Sequence, residues 1–207
     1  MAVCRKVPSD GRFVFYPREN LFIRLCNMEK YMRYLFAVVP LLLFSCVRED
    51  SEREQPDIVK AGDILPDFVI ELDDGRIADR NSLYGKPSLI VFFNTSCGDC
   101  RKGLSVVQRA YERYGTGGEV KFMAVSREQG ADAVKAYWAE NGLTIPFSAQ
   151  RDRAVYHLFA RSSIPRIYVS DASLTVRAVY TDSPPVVADR LEEVLEKLVM
   201  ENSEKNK

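Results

Sequence analysis

The sequence predicts an α/β fold in which a central mixed sheet is flanked by helices and carries an added N-terminal β-hairpin. Three observations support this. Leu89-Ile90-Val91-Phe92-Phe93 is an unbroken apolar run, as expected of a strand buried on both faces. Helical patterns then alternate with further short apolar runs, and a strand reached through a helix lies parallel to the one before it. Ahead of these, two β-prone stretches meet at Asp74-Gly75, a hairpin turn signal.

The N-terminal region reads as targeting sequence. Residues 1–27 carry Arg5, Lys6, Arg12, Arg18 and Arg24 without helical or strand periodicity. They precede an export-like signal, which acts only at an N-terminus, so they read as a mis-assigned extension and Met28 as the true start. Residues 28–45 pair a short basic segment with about ten apolar residues, Leu35 to Phe44, and a small residue. This is the pattern of a signal peptide, too short to span a bilayer as a helix. Leu43-Phe44-Ser45-Cys46 resembles a bacterial lipobox, which makes Cys46 the expected lipidation site. Residues 46–60 are highly charged and poor in apolar side chains, a lipid-anchored tether able to span roughly 20–25 Å.

The folded domain is expected over 61–201. Phe68–Leu72 and the stretch to Ile77 form the hairpin, and Gly85-Lys86-Pro87 punctuates the chain before the central strand. Leu104, Val107, Tyr111 and Tyr114 recur at helical spacing, and Gly115 to Gly118 ends that helix. Lys121–Val125 is the second strand, and Val134, Tyr137 and Trp138 mark a helix closed by Gly142, with the tryptophan in the core. A short helix near Ala154–Ala160 follows. Arg166–Val169 and Thr175–Tyr180 then flank the turn at Asp171–Leu174. Ser183-Pro184 starts a last helix with Val187, Leu191, Val194, Leu195 and Leu198 in one stripe, and 202–207 is left as a disordered tail.

The chemistry concentrates at Cys97-Gly98-Asp99-Cys100, where strand becomes helix. A cysteine at a first helical turn faces unpaired N–H groups and the positive end of the helix dipole, which favour thiolate. Cys97 is therefore the expected nucleophile. Cys100, three residues on, lies over the same face with Cβ atoms about 5–6 Å apart, close enough to resolve a disulfide. A structural zinc site would need four ligands, and His157 is the single histidine, so no metal or cofactor is expected. With 29 basic and 29 acidic residues and no basic stripe, no nucleic-acid partner is expected either.

The element order, the C-x-x-C after the first long strand and Ile164-Pro165 before a late strand resemble the thioredoxin fold. Pro66-Asp67-Phe68, Asp74-Gly75 and Gly85-Lys86-Pro87 make the chain similar to the TlpA-like (ResA-like) branch of exported thiol-disulfide oxidoreductases, many of them membrane-anchored. The resemblance implies a cis-proline at Pro165 facing the cysteines and backbone groups at Ile164 for pairing with a substrate peptide. It further implies protein disulfide substrates, a reducing role, a membrane redox partner that re-reduces or re-oxidises the pair, and a periplasm-facing place in the cell envelope. Several positions depart from the family pattern. Ser96 stands where an aromatic is usual, Ser105 where a proline is usual, and Val91 where thioredoxin has a buried acid. Asp99 replaces the usual proline inside the motif. Its charge opposes the helix dipole while Arg101 and Lys102 offset it, so Gly98, Asp99 and Arg101 are the residues expected to tune the pair. Two other readings remain open. One is a peroxiredoxin-like peroxidase, for which Ile90 and Asn94 replace the usual proline and threonine. The other is a metal-binding or structural module of the same fold.

Overall fold

The computed structural model describes residues 58–205 and two short strands near the N-terminus. Those strands, β1 (Arg5–Lys6) and β2 (Phe13–Val14), pair antiparallel with Lys6 opposite Phe13. They lie in a unit spanning 1–51, separate from 52–207, and the sequence pattern gave no sign of them. The expected signal peptide, the Cys46 lipidation site and nearly all of the tether lie outside the described residues. Among the described residues no helix is long and apolar enough to cross a membrane.

The second unit is built on β5 (Ser88–Phe93), all six residues of which are buried. It pairs parallel with β6 (Lys121–Ser126) on one side and antiparallel with β8 (Arg166–Ser170) on the other. The sheet order is β7-β6-β5-β8-β9, with β7 at Phe147–Ser148 and β9 at Val176–Tyr180. The hairpin β3 (Val69–Glu71) and β4 (Ile77–Asp79) is a separate two-stranded sheet. Its turn needs Gly75 at φ +82°, where a side chain would be strained. Asp73 ties the hairpin to the β7 edge: its N–H donates to Phe147 O at 2.7 Å, and its Oδ1 accepts from Phe147 N at 2.9 Å.

Adjacent residues of a strand face opposite ways, and the two phenylalanines of β5 show how both faces are covered. Phe92 packs on Tyr156 and Phe159 of α3 (Tyr156–Phe159), with centroids 5.4 and 4.9 Å apart. Phe93 packs on Trp138 of α2 (Ala131–Asn141) at 5.0 Å. The tryptophan also donates from Nε1 to Ile145 O at 2.9 Å, which satisfies its buried N–H. The one polar side chain of β5, Ser88, bonds the Ser170 hydroxyl at 2.6 Å.

Four boundaries differ from the sequence reading. First, α1 (Gly98–Ala110) closes with a π turn over Tyr111–Gly115 in place of a continuous α-helix. A Cβ at Gly115 would lie 2.2 Å from the Tyr111 ring, so this wider turn requires glycine. Second, the last helix, α4, begins at Ala188 and not at Pro184. A residue before proline avoids the helical region, and Pro184 precedes Pro185. Val187 is consequently 50% exposed and leaves the stripe, while Leu191, Leu195 and Leu198 stay buried.

Third, α4 runs to Lys205 through residues assigned to a disordered tail. Asn202 Nδ2 donates to Gly85 O at 3.3 Å, and Ser203 Oγ donates to Val199 O at 2.9 Å. Fourth, the fold starts before residue 61. Val59 is buried and donates to Phe159 O at 3.0 Å, after which Gly62, Asp63 and Leu65 bond along β9 and the turn before it.

Phe92→Ala should therefore destabilise the domain by about 3–5 kcal/mol, read as a lowered urea midpoint with little change in slope.

Candidate active site

The register of the central strands brings two loops together. β5 ends beside the start of β8, with Phe92 opposite Arg166, so the chain leaving β5 toward Cys97 meets the chain entering β8 from Ile164. Asn94 turns the first of these loops: its Oδ1 accepts from Ser96 N at 2.9 Å, and its carbonyl accepts from Cys97 N at 3.0 Å. Thr95 N donates to Gln129 Oε1 at 2.9 Å, which fixes the loop to the end of β6.

Cys97 is the N-cap of α1, with φ −85° and ψ 121°. Its sulfur accepts a hydrogen bond from Cys100 N at 3.3 Å. An N-cap is normally an oxygen side chain, and here a sulfur holds the position that best accommodates negative charge. Cys97 is half-buried, whereas Cys100 has no exposed surface, and both are free thiols.

Opposite them the Ile164–Pro165 peptide bond is cis. The Cys97 Sγ lies 3.7 Å from Ile164 O, close enough for a weak S–H donation. Pro165 rests on α1 one turn past Cys100, its Cγ 3.6 Å from where a Cβ of Gly103 would sit. The structure thus brings Cys97, Cys100, Ile164 and Pro165 together. The helix side of the motif faces water: Asp99 and Lys102 pair at 2.9 Å with both side chains more than half exposed, which screens the Asp99 charge. Arg101 is exposed as well, and Gly98 has open space around its Cα. His157 lies exposed on α3, and among the described residues no cluster of histidine, cysteine or acid could hold a metal.

A family model described as AhpC/TSA matches residues 61–179. The chain belongs to the AhpC/TSA family. Within it, this member is 25% identical over 123 residues to thiol-disulfide oxidoreductase ResA of Bacillus subtilis (strain 168), covering 59% of this chain and 68% of that one. Among solved structures, a candidate protein disulfide isomerase from Bacteroides thetaiotaomicron superimposes with a TM-score of 0.67 at 20% identity, covering 74% of this chain and 98% of its own. The thioredoxin domain of a thiol-disulfide oxidoreductase from Bacteroides vulgatus gives 0.59 at 20% identity, over 68% and 99%. These two likenesses establish the thioredoxin-like fold.

In this AhpC/TSA-family chain several residues that the sequence reading passed over hold the second loop. Arg127 Nη1 donates to Ser162 O at 2.8 Å, and Arg166 Nε donates to Ser163 O at 3.1 Å. The Tyr156 hydroxyl reaches the same two carbonyls, and Ser163 Oγ bonds Asp182 Oδ1 at 3.0 Å. Arg166 was the visible clue, since it is a charge heading an otherwise apolar strand and proves to be buried.

Burial pushes the Cys100 thiol well above its ordinary range, its contact with Cys97 adds to the rise, and the Arg127 cation opposes it. The native state therefore keeps a proton that the unfolded chain releases above about pH 8.5. It follows that the reduced protein's stability is fully present below that pH and falls above it, by up to about 1.4 kcal/mol per pH unit. Urea titrations in reductant at pH 7 and pH 10 should show a larger loss for the parent protein than for Cys100→Ala.

Proposed function

We propose that this protein is an exported, membrane-tethered thiol-disulfide oxidoreductase that reduces disulfides in protein substrates through its C-G-D-C pair. The observation that carries the reading is the sulfur of half-buried Cys97, capping the helix and facing Ile164 O, with Cys100 buried behind it. The name of the ResA relative and the thioredoxin-like fold support the same chemistry.

The Cys97 thiolate attacks one sulfur of a substrate disulfide, forms a mixed disulfide and expels the other sulfur as a thiolate. Cys100 then passes its proton to the substrate thiolate expelled in the first step and attacks the Cys97 sulfur. The second substrate sulfur leaves, the substrate has gained two electrons, and Cys97–Cys100 is a disulfide. Burial keeps Cys100 protonated until that step, which protects the resting dithiol from premature oxidation. Backbone groups of Ile164 offer strand-like pairing to the substrate segment beside its disulfide. A membrane partner would then return two electrons to the pair.

Cys97→Ser should reduce dithiothreitol-driven insulin reduction to background, and Cys100→Ser should accumulate mixed disulfides that non-reducing gels resolve. If neither effect appears, the reading fails. The tether rests on Cys46 and the signal-like stretch before it. Cys46→Ala should move the protein from the membrane fraction to the soluble envelope fraction.

A second reading, peroxide reduction, draws on the AhpC/TSA match itself. Asn94 stands where peroxiredoxins place a threonine, and its amide is engaged by Ser96 N and Arg127 O. Peroxide consumption should accordingly be slow beside disulfide exchange, as competition assays would measure.

A further inference from the structure

A cavity of about 390 Å³ is walled by the hairpin on one side and by the π turn and the start of β6 on the other. Leu72, Ala78, Leu83, Tyr111, Phe122 and Met123 give it an apolar lining, and among the described residues no acidic side chain lines it. At about 30 Å³ for each water-sized unit it has room for roughly a dozen non-hydrogen atoms, which places it among small-molecule sites.

One cation stands in this wall with spare bonding capacity. Lys121 opens β6 and is half-buried, and its Nζ donates to Ser82 O at 2.6 Å and to Tyr84 O at 3.2 Å. An ammonium has three N–H donors, so one is left over. Both acceptors are neutral, and among the described residues no carboxylate forms an ion pair with Lys121. Burial lowers its proton affinity, and the positive charge of Lys86 lowers it further. Lys86 Nζ in turn donates to the carbonyl of Gly118, another residue of the lining. Arg76, the remaining charged residue of the lining, is held by Asp74. Two ammonium groups that repel each other therefore share one rim, each bonded to neutral carbonyls. An anion between them would relieve that repulsion, and the walls below would reward an apolar body.

We propose that this cavity binds a small carboxylate with an apolar body of about eight to ten carbons, its head on Lys121 and Lys86 and its chain against Leu83, Phe122 and Met123. Lys121 is paired with Ser88, the first residue of β5, whereas Cys97 follows the last. Roughly 17 Å of strand thus separates this site from the cysteines, and the inference does not depend on the oxidoreductase reading.

Octanoate is the probe, titrated into the full chain with its methionine methyls labelled with carbon-13 and followed by NMR. The Met123 signal should shift saturably with a Kd below about 1 mM, while that of Met200, exposed on the last helix, should stay in place. Octanol, which matches the chain but lacks the charge, should bind at least about tenfold more weakly, and Lys121→Gln should lose a similar factor toward octanoate. A Met123 signal that does not saturate would overturn the proposal. So would octanol binding as tightly as octanoate, or Lys121→Gln binding octanoate as tightly as the parent. The first two results come from the unaltered chain, so they decide the matter even if the variant folds poorly.

Discussion

The site depends on the pairing of one fully apolar strand with unlike neighbours. Because β5 runs parallel to β6 and antiparallel to β8, its C-terminal end lies beside the end of one neighbour and the start of the other. Three loops therefore meet at one point of the sheet: the redox loop after β5, the Arg127–Gln129 stretch after β6, and the Ser162–Pro165 stretch before β8. Burying β5 on both faces fixes that geometry. A one-residue slip would exchange the Phe92 and Phe93 environments and pull the Cys97 sulfur away from Ile164.

Two sulfurs three residues apart sit in contrasting surroundings. The N-terminal one belongs to a half-buried residue and has a backbone N–H pointing at it. The C-terminal one is sealed, and its raised proton affinity follows from that sealing. In the reaction proposed above this asymmetry sets the order: the less buried sulfur reacts first and the sealed one follows once a mixed disulfide has formed. On the solvent side of the motif, Asp99 and Lys102 engage each other in water.

Much of this could be read from the chain. The run Leu89–Phe93, the Asp74-Gly75 turn and the Gly142 stop each have a local physical cause, and each appears where that cause puts it. The cysteine pair was equally legible, since its spacing and its place at a strand-helix junction are both local. What escaped the reading is non-local. Asn94 with Arg127, Thr95 with Gln129 and Arg127 with Ser162 are joined across 33 to 35 positions, and no periodicity encodes such partners. The Val59–Leu65 segment escaped for a related reason: it is held chiefly by backbone bonds to Phe159, β9 and the turn before it, so its side chains carry little pattern. The last helix was misjudged at both ends, where a second proline delayed its start and side-chain bonds to distant or preceding carbonyls prolonged it.

Gly103 sets the clearance between α1 and the proline wall. A methyl placed there would just touch the Pro165 ring, at 3.6 and 3.7 Å, and the tip of Val186 at 4.0 Å. The gap admits one carbon and no more. A longer side chain directed at that wall would press on the Pro165 ring, which faces the cysteine pair. The spacing between helix and proline is thus gauged by the absence of a side chain one turn past the second cysteine.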